Sequence, residues 1–265
     1  MPVNILGVRI DTVTNGEALD KVATFLSEGK VHTIFTPNPE IIMEAQDDSY
    51  FREVLNSGDL NLCDGKGIEF TCRLLFSHNE LERYMYFKRI AGIDFMKDVC
   101  AYAEQYNFSV YLLGSGFEEV IKKATYNLKK IFPKLNVVGY HPGPELVSTP
   151  NKKLKYKSAD NENLITDIIQ TQPDIIFVGF GHGKQEKWIH ENMNKLPGVK
   201  IMMSVGGSFD ILAGKLRRAP LFLRKLGLEW IWRLFEEPHR WRRVWVATVK
   251  FPMKFISERG KNSTQ

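Results

Sequence analysis

Short apolar runs alternate with helical patterns through the second half of the chain, and a glycine turn follows three of these runs. The runs lie at 109–113, 174–179 and 199–204, and the turns begin at Gly114, Gly179 and Gly206. Strands that alternate with helices pair in parallel, and the crossovers between them are right-handed. The sequence therefore predicts an α/β fold built on a mostly parallel sheet.

The rest of the chain adds further elements. An apolar run at 3–10 is typical of a strand or a hairpin arm, and Thr14 and Glu17 have the capping-box spacing for a helix that runs to about residue 28. Further strands are predicted at 31–35, 59–63 and 136–140. Helices are predicted from near Pro39 and Lys66, and at 117–132, 162–170 and 184–195. The stretch 141–160, rich in Pro, Lys and Ser, is predicted to be an irregular loop.

The positive charge is concentrated in one segment. Residues 214–265 contain 13 Lys and Arg and 4 Asp and Glu, so the net charge of this segment is +9, whereas the net charge of residues 1–213 is −4. Four of the five tryptophans lie in the same segment, where the strand patterns stop and prolines interrupt the helices. We therefore predict an α/β core at 1–213 and a helical, basic, Trp-rich appendage at 214–265.

Three interpretations of the appendage stay open on composition alone. Cationic side chains interleaved with Trp and Phe suit an anionic membrane surface, where rings lie at headgroup depth and Arg and Lys meet phosphates. The same pattern suits single-stranded nucleic acid, through stacking and phosphate contacts. In the third interpretation, a basic amphipathic helix packs on its own domain and its arginines are solvated.

Several classes of protein are excluded by what the sequence lacks. No apolar run reaches 18 residues without a charge, so no transmembrane helix is expected. Residues 1–13 lack the pattern of a signal peptide, which favours a cytosolic location. The three cysteines form no C-x-x-C pair, so neither a zinc site nor a disulfide framework is expected. The chain contains no P-loop motif and no Asp-x-Asp, and we expect no metal and no other cofactor.

Two polar clusters follow predicted strands in the first half of the chain, and ligands of such sheets bind beyond the carboxyl ends of the strands. Thr36 and Asn38 can offer hydrogen bonds to a sugar or an amide, although Asn and Pro there also suit a simple turn. Asp64, followed by Gly65-Lys66-Gly67, is well placed to act as a general base. The alternative for Asp64 is a helix N-cap.

Three further clusters follow the glycine turns. Gly114 and Ser115 open a helix whose amides favour a phosphate, but no acidic residue ends the next strand, which argues against a dinucleotide site. The segment 179–186 combines glycines with His182, which is a candidate proton carrier or a structural residue. The segment 206–210 is followed by Arg217 and Arg218, and arginines of this kind suit phosphate oxygens.

Seven of these strings, in this order, resemble the WecG/TagA/CpsF family of bacterial glycosyltransferases, glycosyltransferase family 26, and most of all its TagA branch. The strings are TPNPE at 36–40, DGKG at 64–67, RIAGID at 89–94, KQE at 184–186, GGSFD at 206–210, RRAP at 217–220, and GLEW at 227–230 with RL at 233–234. The resemblance extends over about residues 31–243. The chain departs from the family pattern at Gly183, where the family usually has proline.

The resemblance implies a Rossmann-like core and an inverting, metal-independent transfer of N-acetylmannosamine. The donor would be UDP-N-acetylmannosamine, and the acceptor would be N-acetylglucosamine linked to undecaprenyl diphosphate. The β-1,4-linked product would begin the linkage unit of wall teichoic acid. The enzyme would be cytoplasmic and peripheral on the inner face of the cell membrane, and its appendage would associate with the membrane and complete the active site.

On this basis Asp64 is the expected general base. The expected substrate-binding residues are Thr36, Asn38, Arg89, Gly114, Ser115, Gly181, Lys184, Gln185, Glu186, Gly207, Asp210, Arg217, Arg218 and Arg224. Thr36, Asn38 and Arg89 would orient the sugars. The Gly114 turn and the segment 179–186 would hold UDP, and Gln185 could bridge donor and acceptor. Arg217, Arg218 and Arg224 would meet the diphosphates.

Other functions remain possible at this point. The same family could use UDP-N-acetylmannosaminuronic acid, whose extra carboxylate needs one more cation in the sugar pocket. A nucleic-acid-binding module would use the Arg/Trp appendage, but it would leave the polar clusters of residues 1–213 unexplained. A scaffold that recruits other cell-wall enzymes is the third alternative. Exposed Leu and Phe side chains of the appendage could equally support a homo-oligomer.

Overall fold

The computed structural model describes residues 2–75 and 87–262, and its centre is a parallel sheet. The strands are β1 Pro2–Ile5, β2 Val8–Asp11, β3 His32–Phe35, β4 Leu60–Asn61, β5 Ser109–Gly114, β6 Asn136–His141, β7 Ile175–Gly179 and β8 Ile201–Ser204. Strands β3 to β8 form one sheet in the order β4-β3-β8-β7-β5-β6, in which every pairing is parallel. Strands β1 and β2 form a separate antiparallel hairpin. The predicted α/β class and its mostly parallel sheet are confirmed.

Helices connect and cover these strands. They are α1 Asn15–Ser27, α2 Pro39–Asp47, α3 Ser49–Asn56, α4 Lys66–Leu75, α5 Gly92–Tyr106, α6 Glu118–Ile131, α7 Ser158–Thr171, α8 Lys184–Asn192, α9 Ser208–Leu212, α10 Leu221–Leu226, α11 Glu229–Glu236, α12 Trp241–Trp245 and α13 Phe251–Asn262. Short 3-10 turns at Met193–Lys195 and Pro238–Arg240 and a π-turn at Val246–Lys250 continue some of them.

Most predicted elements are confirmed, and the differences concern one strand, one loop and three helices. The capping box forms as expected, since Thr14 Oγ1 accepts from Glu17 N–H (3.2 Å) and Glu17 Oε2 accepts from Thr14 N–H (2.7 Å). The strand expected at 59–63 pairs over only two residues, and the loop expected to reach 160 ends where α7 begins. Helices α3, α5 and α9 were not predicted: the start of α5 carries no side-chain cap, α3 follows α2 after the single residue Asp48, and α9 has only five residues.

Both faces of the sheet are buried, as parallel sheets require. Residues of α2, α3 and α8, such as Ile42, Val54 and Trp188, pack on one face. Residues of α1, α5 and α6, such as Val22, Phe95 and Leu128, pack on the other. This arrangement leaves the carboxyl ends of the strands as the open edge of the core.

The loop between β6 and α7 is held from inside by one buried ammonium group. Lys187 on α8 is fully buried and its Nζ lies 2.6 Å from Asp48 Oδ2. The same Nζ donates to the backbone oxygens of Thr149 (3.4 Å) and Lys152 (3.3 Å). Asp48 also caps α3 through Phe51 N–H and accepts from Asn151 N–H. A buried charge without its partner is costly, so this pair fixes the loop against α3 and α8.

The helices after Gly214 pack back on the core with part of their apolar surface. Phe251 and Phe255 of α13 are buried, and the Val246–Lys250 turn and α13 contact α2. By contrast, Leu221, Phe222 and Leu226 of α10 are each about two-thirds exposed. No helix within residues 2–75 and 87–262 is long and apolar enough to cross a bilayer. The structure describes the predicted appendage as far as Asn262, and its separation as a unit at 214 stays a prediction.

Candidate active site

A cleft of about 1290 Å³ opens at the carboxyl ends of the strands. Its floor is formed by segments that follow β3, β4, β5, β7 and β8, where the sequence predicted the polar clusters. Its opposite wall is formed by appendage side chains, among them Glu229, Trp230, Arg233, Arg240 and Arg243. The cleft therefore combines the core with the appendage, although the two are far apart along the chain.

Asp64 lies in this cleft just after β4. Its carboxylate accepts a hydrogen bond from Gly92 N–H, at the first residue of α5, at 3.4 Å. Burial raises the pKa of the Asp64 carboxyl; the charges of Arg89 and Arg233 and the Gly92 hydrogen bond oppose this rise, and Glu229 adds to it. A carboxylate with a raised pKa in a cleft is suited to take up a proton.

Arg89 joins the core to the appendage beside Asp64. Its guanidinium forms an ion pair and a hydrogen bond with Glu229 of α11. A second pair crosses the same junction, between Arg218 and Asp94, and Arg218 Nε also lies 3.9 Å from Glu229. These pairs are partly buried, so they are screened less than surface pairs. These pairs hold the appendage wall against the N-terminal end of α5.

Thr36 and Asn38 lie in the cleft after β3. Asn38 Oδ1 accepts from Ile41 N–H at 3.0 Å and thereby caps α2. Asn38 can therefore cap the helix and still bind a ligand in the cleft, because the cap uses its side-chain oxygen and leaves its amide nitrogen. Thr36 lies next to Gly92, since a Cβ placed on Gly92 would be 3.4 Å from the Thr36 side chain. This contact brings the ends of β3 and α5 together next to Asp64.

The turns after β7 and β8 are tied together by Gln185 and Glu186. Gln185 Oε1 accepts from Gly206 N–H (3.0 Å), and its Nε2 donates to Glu186 Oε1 (2.7 Å). Glu186 Oε2 accepts from Gly183 N–H at 2.8 Å, and the side chain is fully buried. Burial raises the pKa of Glu186, and its hydrogen bonds to Gln185 and Gly183 oppose that rise. Gln185 lines the cleft, while Glu186 lies behind it.

Two glycines in these turns have backbone geometries that other residues tolerate poorly. Gly114 has φ +137°, and a Cβ there would lie 2.5 Å from the carbonyl oxygen of Gly179, so the ends of β5 and β7 approach closely. Gly183 has φ +77°. Proline is restricted to φ near −65°, so the turn before Lys184 has a shape that a proline at this position could not adopt.

The arginines of the opposite wall differ in their partners. Arg243 pairs with Glu40 and donates to His182 Nδ1 at 2.8 Å, and Arg240 pairs with Glu237 at 2.8 Å. Arg233, by contrast, has no carboxylate within ion-pair distance in the described part of the chain. Burial and the charge of Arg240 lower the pKa of Arg233. An arginine in this state is a ready binding group for an anion.

His182 has both ring nitrogens engaged. Nδ1 accepts from Arg243, and Nε2 lies 3.1 Å from Glu44 Oε2. This pairing requires the neutral tautomer with its proton on Nε2. Of the two interpretations that the sequence left open for His182, the geometry favours the structural one.

Ten of the expected site residues lie in the cleft. They are Asp64, Thr36, Asn38, Arg89, Ser115, Gly181, Lys184, Gln185, Gly207 and Asp210. Gly114 and Glu186 are buried and do not line the cleft, although their neighbours Ser115 and Gln185 do. Arg217 is exposed outside it, Arg218 is paired with Asp94, and Arg224 lines a separate hollow. The expected diphosphate contacts of these three arginines stay predictions.

Sequence reasoning gave no role to Arg233, Arg240 and Arg243, which the fold places in the same cleft as Asp64. A signal was present: 233 and 240 are seven residues apart, and 240 and 243 three apart, which are spacings of one helix face. Pro238 lies between Arg233 and Arg240, and because a proline predicts a break in the helix, the shared face was not predicted.

The sequence comparisons agree with this geometry. A family model described as the glycosyl transferase WecG/TagA/CpsF family matches residues 3–265. An N-acetylglucosaminyldiphosphoundecaprenol N-acetyl-beta-D-mannosaminyltransferase of Staphylococcus aureus strain MW2 is 31% identical over 244 residues, which cover 91% of this chain and 86% of the relative. Its counterpart in strain MRSA252 is 32% identical over the same coverage. The motifs after the strands, the cleft that they form and the match over nearly the whole sequence agree, and the chain belongs to the WecG/TagA/CpsF family of glycosyltransferases.

Proposed function

We propose that the protein transfers N-acetylmannosamine from UDP-N-acetylmannosamine to N-acetylglucosamine carried on undecaprenyl diphosphate. The observation that carries this proposal is the position of Asp64, a carboxyl with a raised pKa in a cleft whose opposite wall holds arginines. The names of the Staphylococcus aureus relatives support the choice of donor sugar and acceptor.

In the proposed reaction Asp64 acts as the general base. Its carboxylate takes the proton from the 4-hydroxyl of the acceptor sugar, and that oxygen forms the new bond to the anomeric carbon of the donor. The bond between this carbon and the UDP oxygen breaks, and UDP leaves with the electron pair. Attack from the face opposite UDP inverts the anomeric centre and gives a β-1,4 linkage. A raised pKa makes Asp64 a stronger base near neutral pH.

The leaving diphosphate needs positive charge, and the appendage wall supplies it. Arg233 has no close carboxylate partner in the described residues, and Arg240 and Arg243 lie in the same cleft. Guanidinium groups match the geometry of phosphate oxygens. Ser115, Gly181, Lys184 and Gly207, on the turns after β5, β7 and β8, are proposed to hold UDP.

The acceptor is anchored in a membrane by its lipid, and the appendage has features suited to that surface. Exposed apolar side chains of α10 lie beside cationic ones, and Trp241 and Trp245 of α12 are about half exposed. Such a surface binds at the interface of an anionic bilayer. We therefore propose a cytoplasmic enzyme that is peripheral on the inner face of the membrane.

The test is a transfer assay with purified protein, UDP-N-acetylmannosamine and a lipid-diphosphate-linked N-acetylglucosamine. We expect UDP release that depends on the acceptor and yields a disaccharide with a β-1,4 bond. Release only with UDP-N-acetylmannosaminuronic acid would keep the family and change the donor. Absence of release with both donors, from protein whose folding is verified by its thermal transition, would refute the proposed reaction.

A further inference from the structure

A second hollow, of about 440 Å³, lies beside the cleft between α5 and α10. The segment 88–91 separates the two cavities, because Arg89 and Ala91 line both of them. The hollow is closed on its other sides by Asp94 and Asp98 of α5 and by Arg224 and Lys225 of α10. None of the steps proposed for sugar transfer uses it.

The charges around this hollow favour an anion. Its cations are Lys88, Arg89, Arg224 and Lys225, and its acids are Asp94 and Asp98. Arg89 is neutralised by Glu229, and Asp94 by Arg218. Within the described residues the other three cations have no ion pair, whereas Asp98 only accepts from Asn15 Nδ2 at 3.0 Å. The hollow therefore has three cations and one acid without an ion-pair partner, and its net charge is positive.

Arg224 has an unused hydrogen-bond donor at this place. Its Nε is shielded from solvent and finds no acceptor in the part of the chain that the structure describes. Because this Nε is shielded, the donors of Arg224 that an anion could use are the two terminal nitrogens of its guanidinium, which have no hydrogen bond and no ion pair within the described residues. Arg224 lines the hollow, so a charged side chain without a carboxylate partner is available there.

The rim of the hollow indicates where such a phosphate comes from. Leu221 lines the hollow, and Phe222 and Leu226 on the same short helix are each about two-thirds exposed. Cations in the hollow and apolar side chains at its rim match a lipid, whose phosphate faces the water and whose acyl chains lie deeper in the bilayer. A free phosphate ion would use the cations and leave the apolar rim without a role.

We propose that this hollow binds the phosphodiester headgroup of an anionic phospholipid, separately from the cleft that takes the substrates. The bound headgroup would lie between Lys88 of the core and Arg224 of α10, and would hold α10 against α5. The inference rests on the proposed membrane association, but its test needs neither the donor nor the acceptor of the transfer reaction.

The experiment measures binding of the full chain to phosphatidylglycerol–phosphatidylcholine vesicles and to pure phosphatidylcholine vesicles, with saturating UDP present. R224Q and K88Q remove cations of the hollow, and R242Q removes an exposed cation of the same appendage as the matched control. A cation that acts only through surface attraction contributes about fivefold in affinity. We expect R224Q and K88Q each to weaken binding to phosphatidylglycerol more than tenfold, and R242Q at most about fivefold.

Several outcomes would overturn the inference. Equal losses in R224Q, K88Q and R242Q would mean that surface charge acts without a site. Binding of inorganic phosphate that depends on Arg224, combined with vesicle binding that does not, would assign the hollow to a free ion. Because Lys88 is exposed and lies outside α10, a loss in K88Q with an unchanged thermal transition would rule out misfolding as the cause. If the protein is inactive in sugar transfer but R224Q and K88Q weaken its vesicle binding as expected, only the proposed reaction is refuted.

Discussion

Arg89 of the core and Glu229 of the appendage form an ion pair beside Asp64, and the two charges act on the Asp64 carboxyl in opposite directions. Arg89 lowers the pKa of Asp64, and Glu229 raises it. The ionisation of the proposed base is therefore set partly by a contact between two distant segments of the chain.

This relationship predicts opposite shifts in the pH dependence of transfer. The rate is lost as the pH falls through the pKa of Asp64, because the protonated carboxyl cannot accept a proton. E229Q removes a charge that raises this pKa, so the acid limb moves to lower pH. R89Q removes a charge that lowers it, so the limb moves to higher pH. The position of the limb in kcat/KM profiles is the measurement, and shifts in the same direction would contradict the assignment.

Replacement of Asp64 tests the base directly. D64N is expected to lower kcat by about 10²–10⁴-fold. The exposed Asp20 on α1 provides a matched control, and D20N is expected to leave kcat unchanged. Near-normal turnover in D64N would exclude Asp64 as the base.

The same variant also has a predicted effect on stability. The folded-state pKa of Asp64 is raised, so its ionisation opposes folding, and the wild type loses stability as the pH rises through that value. D64N lacks this loss and is expected to unfold at the same or a higher temperature at neutral pH. A lower unfolding temperature, measured by calorimetry, would mean that Asp64 has a structural role of its own.

Arg233 is expected to bind the diphosphate of the donor or acceptor. Hydrogen bonds to charged groups contribute about 1.5–3 kcal/mol, so R233Q is expected to lower kcat/KM by about tenfold or more. R242Q, on an exposed arginine of α12, is the control for a change of charge. Equal rates for R233Q and the wild type would remove Arg233 from the mechanism.

Because guanidinium groups supply the positive charge, transfer by the wild type is expected to continue in EDTA.

Glu186 is expected to act through Gln185 rather than by touching a substrate. An amide in its place has one acceptor oxygen for two donors, Gly183 N–H and Gln185 Nε2. A buried donor without a partner costs about 1–3 kcal/mol, so E186Q is expected to destabilise the fold by that amount. We also expect a higher KM for the donor, because Gln185 loses its fixed orientation. E162Q on the exposed face of α7 is the control, and equal donor KM values in the two variants would contradict this role.

The close approach of β5 and β7 can be tested with two Gly→Ala variants. In G114A the new Cβ meets the Gly179 carbonyl oxygen at 2.5 Å, and φ +137° is strained for alanine. We expect a loss of more than about 1 kcal/mol in the free energy of unfolding. Gly16 in α1 has open space at its Cβ position, so G16A is expected to preserve or raise stability. Denaturant unfolding of both variants is the measurement, and equal stabilities would argue against the close approach.

Local patterns predicted the floor of the site but not its opposite wall. The carboxyl ends of parallel strands lie at one edge, so Thr36, Asp64 and Gln185 could be placed together from the sequence. The direction of each side chain was harder to predict. Gln185 and Glu186 are neighbours at a helix start, yet one faces the cleft and the other faces the interior.

The contacts between distant segments could not be predicted. Arg218 and Arg233 are both arginines of the appendage, but Arg218 is taken up by Asp94 while Arg233 faces the cleft. The partner of Arg218 lies on α5, 124 residues away, and no local pattern tells which of the two arginines is paired. Only the packing of the appendage on the core separates a structural arginine from a binding one.

The two walls of the cleft are made at different times during translation. Asp64 and the turns after the strands leave the ribosome with the core, whereas Arg233, Arg240 and Arg243 follow only after the whole sheet has been synthesised. A nascent chain can therefore complete its sheet and still lack the charges that face the base. We therefore expect a ribosome-bound chain with a complete sheet to be inactive until residues 229–243 have been synthesised and packed on the core.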